Sequence, residues 1–252
     1  MNALLVTHNF PPEVNALATR SYEHTRRWAD KGSGGVEVIT DPPHYPEGEV
    51  YEGYENAYEQ EKMDGVTVNR VPMYISANQG TFRRIVSYLT FMLAAVWFSR
   101  RVRSEPDVVV GSSPQFLAAV AAYIISRIKN VPFVMEVRDI WPESIVAVGA
   151  MNRNILIRFR ERIERFLYRK ADHIVVVTEA FRRDIENKGI SHEKITVLKN
   201  GVDLSFFSDS LDDDRLDEIQ WTHDLNDKFV ASYIGTIGMA HRADILLEAA
   251  DR

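Results

Sequence analysis

Three ionisable side chains lie at the end of one apolar run. In "PFVMEVRDIWPES", Glu136, Arg138 and Asp139 end or follow a stretch that reads as a buried strand, directly before a Trp-Pro turn. In an open α/β sheet, the carboxyl ends of the strands face the ligand crevice. Arg138 could hold an anionic phosphate there, and Asp139 or Glu136 could accept a proton from a hydroxyl group. The alternative is a structural Arg–Asp salt bridge.

Small hydroxyl residues follow another predicted strand. "VVVGSSPQF" places Gly111, Ser112 and Ser113 at the same edge of the sheet. Serine hydroxyls and free backbone N–H groups at the start of a helix can bind an oxyanion. The alternative is that the serines only cap the helix that follows.

The first strand-to-helix connection is a third candidate for a ligand site. "THNFPPEVNALATR" lacks the G-x-G-x-x-G fingerprint, which argues against a dinucleotide clamp. Asn15 and Ala16 are small enough to let a ligand approach the free N–H groups of the helix. The alternative is an ordinary long loop.

Two basic stretches suggest contact with an anionic surface. "TFRRIVSYLTFMLAAVWFSRRVR" carries arginines at both ends, including Arg100, Arg101 and Arg103, and "NRNILIRFRERIERFLYRK" has seven basic residues against two acidic ones. Basic amphipathic helices are typical of proteins that bind anionic membranes peripherally. The alternative is that these are core helices with solvated arginines.

Strand-like and helix-like segments alternate along most of the chain. The predicted strands are "ALLVT", "VEVIT", "VTVNRV", "DVVVGSS", "PFVMEV", "HIVVVT" and "KITVL". The predicted helices run over about 18–31, 82–103, 115–128, 155–169 and 179–188. Strands that are apolar on both faces and separated by helices indicate an α/β fold, a doubly wound parallel Rossmann-like sheet.

The pattern changes after "LKNGVD". An acidic stretch without strands over 201–227 reads as a hinge, and "FVASYIGT" then begins a new strand, so we predict domains 1–200 and 228–252. One strand and one helix cannot bury their own faces. Either the second domain is truncated, or these residues pack on the first.

Composition excludes several classes of protein. The 252 residues carry a net charge of −6, which argues against a nucleic-acid binder, and they include no cysteine, which excludes disulfides and thiolate metal sites. The longest apolar run, "IVSYLTFMLAAVWF", is shorter than the roughly 20 residues of a membrane span, and the N-terminus does not read as a secretory signal. We therefore expect a cytoplasmic protein, soluble or peripheral on the inner face of the membrane.

The ordered motifs resemble one family. "FPPEVNALATR", "EVRDIWPES", "VVVTEAFRRDI", "VLKNGVD" and "YIGTIGMAHRADILLEAA" are similar, in this order and spacing, to glycosyltransferase family 4 enzymes of the retaining GT-B class. They look most like the branch that builds lipid-linked O-antigen, capsule and exopolysaccharide units.

The resemblance implies two Rossmann-like domains that face each other across a cleft. The N-terminal domain would bind a polyprenyl-diphosphate-linked saccharide acceptor, and the C-terminal domain would bind the nucleotide-sugar donor. Transfer would retain the anomeric configuration, without a cofactor or an obligatory metal. Glu136, Arg138 and Asp139 would be catalytic. The substrate-binding residues would be Asn15, Ala16, Gly111, Ser112, Ser113, Glu179, Asn200, Gly235, Gly238 and His241.

The chain also departs from the family pattern. Asn15 stands where the family usually has glycine, and Arg242 stands where a small residue is usual. The basic phosphate-binding residues and the paired glutamates of the donor domain would lie beyond Arg252. We therefore expect the chain to have no measurable transferase activity by itself.

Other functions remain open at this point. A GT-B nucleotide-sugar epimerase would share the fold but has less need of basic amphipathic helices. The chain could also be a stand-alone acceptor-binding module that pairs with a separate donor-domain polypeptide. A dinucleotide-dependent dehydrogenase is disfavoured because the glycine fingerprint is missing.

Overall fold

The structure is a computed structural model, and it describes residues 1–32, 34–76, 81–102, 105–113, 115–140, 155–202, 204, 213–226, 228–235 and 244–250. One sheet has the strand order β3-β4-β2-β1-β5-β6-β7-β8. Its strands are β1 Ala3–Val6, β2 Val36–Thr40, β3 Glu59–Met63, β4 Val66–Arg70, β5 Val108–Ser112, β6 Phe133–Val137, β7 His173–Val176 and β8 Ile195–Val197.

Helices connect most of these strands. They are α1 Ala16–Lys31, α2 Thr81–Phe98, α3 Phe116–Lys129, α4 Ile155–Lys170, α5 Glu179–Asn187, α6 Asp213–Thr222 and α7 Asp244–Ala250. A short 3₁₀ turn, Ser99–Arg101, follows α2. The strands and helices predicted for the first 200 residues are all present, with ends that shift by a few residues.

The sheet is parallel except at one edge. β1 lies between β2 and β5 and pairs in parallel with both, which confirms the predicted α/β fold. β3, which the sequence did not predict, pairs antiparallel with β4. The turn between them has positive φ at Asp64 (45°) and Gly65 (80°), as a type I′ hairpin requires. Asp64-Gly65 is a typical hairpin turn sequence, but the segment before it, "EQEKM", is polar and does not read as a strand.

Both faces of the sheet are covered by helices. Leu4 and Val6 of β1 belong to one buried cluster together with Phe91 of α2. Leu5, the residue between them, belongs to a second cluster, against which Tyr22 and Trp28 of α1 pack. Alternate residues of a strand point to opposite faces, so the apolar run "ALLV" supplies both cores.

The chain contacts divide after Lys199, and residues 200–252 belong to a second, smaller unit. Helix α6 lies in the acidic stretch that we interpreted as a hinge. Residues 228–235, which the sequence predicts as a strand, are not in a strand, and Phe229 and Ile234 are almost fully exposed. A strand forms only where a neighbouring strand satisfies its backbone groups, and the described part of this unit contains none. The roles assigned to the predicted domains stay predictions.

Within the described residues, none of the helices is both long enough and apolar enough to cross a membrane.

Candidate functional site

The candidate site lies at the carboxyl ends of the central strands. The strand order reverses between β1 and β5, because the chain leaves β1 toward β2 and later returns to β5 on the other side. Such a switch point is where open α/β sheets bind ligands. The residues that follow β1, β2, β5 and β6 therefore form the candidate crevice.

Glu136 is held in a buried polar network beneath this crevice. Its Oε1 accepts a hydrogen bond of 2.9 Å from Arg20 Nε on α1. Its Oε2 accepts one of 2.8 Å from Ser112 Oγ, and His24 Nδ1 lies 3.7 Å from Oε1. The side chains of Arg20 and Glu136 are only 10% and 9% exposed. Glu136 thus links β6 to both α1 and β5.

Arg138 extends from the same strand toward the start of α1. Its guanidinium donates to the backbone oxygens of Ala16 at 2.8 Å and Leu17 at 3.3 Å. Its backbone N–H donates to Ser113 Oγ at 3.0 Å. The pKa of Arg138 is lowered overall. Burial is the main cause, the Glu136 carboxylate partly offsets it, and the Arg20 charge lowers the pKa further. These contacts fasten α1 to the sheet, and the predicted phosphate contact of Arg138 stays a prediction.

Asp139 lies on the other side of the sheet. Together with Met135, Val137 and Tyr168, it lines a small hollow between the sheet and helices α3 and α4. Glu136 and Arg138 face α1 instead. The period-two alternation of side chains therefore separates Asp139 from the two residues with which the sequence groups it.

The predicted loop residues have local structural contacts. Asn15 caps α1, because its Oδ1 accepts from the backbone N–H groups of Leu17 and Ala18 at 3.0 and 2.9 Å. Its own Nδ2 is buried, and no hydrogen-bond partner for it is found among the described residues. At Gly111, a Cβ would lie 2.6 Å from the Cβ of Ala122, so this glycine allows α3 to pack directly on β5.

The other predicted substrate-binding residues lie further along the chain. Glu179 is in the first turn of α5, where it pairs with Arg182. Asn200 and Gly235 are exposed and belong to the second unit. Gly238 and His241 lie outside the described residues. The binding roles of all five residues stay predictions.

The structure assembles a second cluster that the sequence reading missed. His8 follows β1, Asp41 and His44 follow β2, and the three residues are 8%, 1% and 7% exposed. We call these three residues the His–Asp cluster. Asp41 Oδ2 lies 3.2 Å from His44 Nδ1 and 3.6 Å from His8 Nε2. Asp41 Oδ1 accepts a hydrogen bond of 2.9 Å from the backbone N–H of Asn9.

Glu13 lies beside this cluster. Its Oε1 accepts from the backbone N–H groups of His44 and Tyr45, both at 2.8 Å. The side chain is 3% exposed, and no hydrogen-bond partner of Oε2 is found among the described residues. The carboxylate therefore ties the first loop to the residues after β2.

The cluster shifts the pKa values of its members in opposite directions. Burial alone would raise the pKa of Asp41, but the nearby His8 and His44 and the Asn9 N–H hold it well below its usual range. Burial alone would lower the pKa of His44, but the Asp41 carboxylate, the Pro42 carbonyl and Glu13 raise it to about 9. Burial, followed by repulsion from Asp41, raises the pKa of Glu13. His44 and Asp41 therefore form a buried ion pair at neutral pH.

Comparison with known proteins assigns the fold to a family. Residues 15–201 match the glycosyl transferase 4-like domain. This chain belongs to that family. WcaI of Escherichia coli (strain K12), whose name assigns it to colanic acid biosynthesis as a glycosyl transferase, is 24% identical over 258 aligned positions, which include 100% of this chain and 63% of WcaI.

Solved structures of other proteins share the fold. HepE from Anabaena, solved in complex with UDP, matches 99% of this chain and 57% of its own length, with a TM-score of 0.60 and 15% identity. Sucrose-phosphate synthase from Thermosynechococcus elongatus matches 96% of this chain and 72% of its own, with a TM-score of 0.58 and 11% identity. The chain thus spans less than two thirds of WcaI and HepE.

In this glycosyl transferase 4-like chain, a buried arginine holds the two cluster loops together. Arg70, at the end of β4, is fully buried. It donates to the backbone oxygens of Pro11 and Asp41, and its Nε donates to Glu61 Oε1 at 2.7 Å. One side chain thus bridges the loop after β1 and the loop after β2. Arg70 therefore supports the His–Asp cluster through contacts within the chain.

A sequence signal for the cluster existed. "VTHNF" and "ITDPPHYP" both place ionisable residues directly after an apolar strand. The sequence alone did not show that these two strands are neighbours, whereas the sheet pairs β1 with β2 directly. Residues that follow neighbouring parallel strands lie at the same edge of the sheet, which brings His8 close to Asp41 and His44.

Proposed function

We propose that this chain is the acceptor-binding domain of a retaining glycosyltransferase, which transfers a sugar from a nucleotide-sugar to a polyprenyl-diphosphate-linked saccharide. The match of residues 15–201 to the glycosyl transferase 4-like domain carries this proposal. The similarity to WcaI along the whole chain supports a role in cell-surface polysaccharide biosynthesis. HepE has been solved with UDP-glucose, which supports a UDP-sugar as the donor.

In this proposal Asp139 orients or deprotonates the acceptor hydroxyl. The carboxylate follows β6, at the carboxyl end of the sheet, and lines a small hollow. The lining is partly polar and partly apolar, because it includes Asp139 together with Phe116 and Tyr168. Arg138 would contact a phosphate group and Glu136 would be a further catalytic carboxylate, and both side chains also fix α1 to the end of β6.

The Asp139→Asn variant tests this assignment. In a polypeptide that joins this chain to a complete donor-binding domain, we expect the substitution to lower kcat by about 100-fold or more, the loss typical of a missing general base. The free energy of unfolding should fall far less than the activation free energy rises. Sugar transfer and denaturant unfolding are the measurements.

A surface carboxylate on α1 provides the matched control. Asp30→Asn makes the same chemical change at an exposed position and should leave kcat within about twofold, as expected for a residue remote from the reacting atoms. The 252-residue chain alone should not turn over, since charge stabilisation of the donor diphosphate needs both domains. Asp139→Asn activity within about threefold of the parent would remove Asp139 from the catalytic role.

We further propose that the domain docks on the inner, anionic face of the cytoplasmic membrane. Helix α2 buries Phe91 and Ala95 in the core. On that face it is a core helix, which is the alternative that the sequence left open. Its exposed side chains include large apolar groups and arginines. This α2 surface comprises Phe82, Leu89, Leu93, Trp97, Arg83, Arg84, Arg100 and Arg101.

The charge and shape of the α2 surface favour a lipid surface as its partner. Leu93 and Trp97 are 62% and 63% exposed and are one helical turn apart. The Arg100 guanidinium lies 4.8 Å from the Trp97 ring centre. An apolar stripe bordered by arginines matches the boundary between acyl chains and anionic headgroups. Arg103 lies outside the described residues.

Vesicle sedimentation tests this docking. Arg100→Gln combined with Arg101→Gln should weaken binding to vesicles rich in phosphatidylglycerol by about 30-fold, because each arginine near an anionic leaflet contributes about 1 kcal/mol. Arg26→Gln with Arg27→Gln, an adjacent pair on α1 that contacts Glu23, is the matched control and should leave binding unchanged. Equal binding by the two double variants at low salt would show that the α2 arginines are ordinary surface residues.

A further inference from the structure

The His–Asp cluster presents three potential metal-ligand atoms in a compact arrangement. The ligand atoms of His8, Asp41 and His44 all lie within 4.8 Å of one another. Asp41 Oδ2 is 3.2 Å from His44 Nδ1 and 3.6 Å from His8 Nε2. In a tetrahedral zinc site with bonds of about 2.0–2.1 Å, ligand atoms lie about 3.4 Å apart. Two of the separations already match that geometry.

Two of these atoms are buried without a hydrogen bond. Within the described part of the chain, neither His8 Nε2 nor Asp41 Oδ2 has a hydrogen-bond partner of acceptable geometry, and Asp41 Oδ2 has only the ion-pair contact of 3.2 Å with His44 Nδ1. Buried polar atoms are nearly always hydrogen-bonded, because losing the bonds to water without replacement costs free energy. A cation placed between the two atoms would satisfy both of them.

The His8 ring is oriented as in a metal-binding histidine. Its Nδ1 lies 2.6 Å from Asn9 Oδ1, an acceptor to which it can donate, which leaves Nε2 for a ligand. Metal-bound histidines usually donate their other ring N–H to an oxygen in this way. The Tyr88 and Phe91 rings pack edge-on against the imidazole, with ring centres at 5.4 and 5.2 Å. Asn9 thus prepares Nε2 for a ligand.

The charges of the cluster also suit a divalent ion. Asp41 is an anion, and Glu13 supplies a second buried carboxyl whose Oε2 has no hydrogen-bond partner within the described residues. Two carboxylates and two neutral imidazoles would balance the charge of one divalent ion. The donor set of nitrogen and carboxylate oxygen suits zinc or cobalt(II).

We propose that His8 Nε2, Asp41 Oδ2 and His44 Nδ1 bind one divalent transition-metal ion, with zinc as the best fit. The ion would join the loop after β1 to the loop after β2 at the edge of the crevice. His44 Nδ1 lies 2.9 Å from the Pro42 carbonyl oxygen, to which it can donate, so the metal displaces one proton from this nitrogen. This inference does not depend on the proposed transferase activity.

Metal titration of the purified 252-residue chain tests the site. After dialysis against a chelator, the protein should bind one equivalent of Zn²⁺ by calorimetry and should unfold at a higher temperature with Zn²⁺ present. The heat of binding should change with the ionisation enthalpy of the buffer, because a proton is released. One equivalent of Co²⁺ should give the visible absorption of a four-coordinate site. No saturable binding of either ion would overturn the proposal.

Variants locate the ion. His8→Gln and Asp41→Asn should each weaken Zn²⁺ binding by more than 100-fold, and Asn9→Gly should weaken it by about 10–100-fold, as expected for a residue that orients a ligand. Asn9 has φ of 68°, which glycine tolerates, so this variant removes only the side chain. His24→Gln and His192→Gln, at histidines outside the cluster, should bind Zn²⁺ like the parent.

A spectroscopic measurement keeps the proposal testable even if a variant fails to fold. X-ray absorption of the zinc-loaded parent protein should show scattering from two imidazole rings. Oxygen neighbours alone would overturn the proposal, and so would unchanged affinity in a folded His8→Gln variant. Equal weakening by His24→Gln would place the ion elsewhere and would also overturn it.

Discussion

Replacing Glu136 by alanine should lower the free energy of unfolding by about 3–5 kcal/mol, the range measured when one partner of a buried ion pair is removed. Arg20, 10% exposed, would lose the carboxylate that it contacts at 2.9 Å. Ser112 Oγ would lose its 2.8 Å acceptor, and Arg138 would lose a nearby opposite charge. The variant therefore removes this carboxylate from the largely buried Arg20 and from the half-buried Arg138.

Urea denaturation of three variants checks this expectation. Glu136→Gln retains an oxygen that can accept from Arg20, so it should lose clearly less stability than Glu136→Ala. Glu186→Ala is the matched control, since Glu186 pairs with Arg182 and His192 on the surface. Exposed pairs contribute about 1 kcal/mol or less. If Glu136→Ala unfolds at the same urea concentration as Glu186→Ala, the structural role is wrong.

Metal-free protein should lose stability as the pH rises from about 6.5 to about 9. The pKa of His44 is raised to about 9 in the folded state, against an ordinary value of 6.5. The folded state therefore binds the proton more tightly, and the stabilisation is complete below pH 6.5 and lost through pH 9. A shift of this size corresponds to as much as about 3 kcal/mol. Asp41 and Glu13 face His44, and the raised pKa of Glu13 acts in the same direction.

Unfolding by urea at several pH values, with a chelator present, measures this dependence. His44→Gln should flatten the curve between pH 6.5 and 9, because the titrating group is gone. His192→Gln is the control: this histidine is 68% exposed and contacts Glu186, so its removal should leave the slope unchanged. A parent protein whose stability is constant over this interval would contradict the proposed ion pair of His44 and Asp41.

The sequence was sufficient for the order of strands and helices in the first unit. Apolar runs such as "VEVIT" and "PFVMEV" became strands, because burial of a short apolar run depends on residues close in sequence. The motif resemblance was sufficient for the family, which the match of residues 15–201 confirms. β3 was missed because its side chains are half exposed, and the antiparallel partner, not an apolar run, stabilises it.

The candidate site was determined only in part by the sequence. Local spacing placed Glu136, Arg138 and Asp139 at the end of β6, but side-chain alternation and the position of α1 sent them to two faces. His8 lies 33 positions before Asp41 in the chain, yet its Nε2 is 3.6 Å from Asp41 Oδ2. Local propensity acts between residues close in sequence, whereas this contact depends on the register that sets β1 beside β2. Only the tertiary structure, through strand pairing, decided which charges meet and how far their pKa values shift.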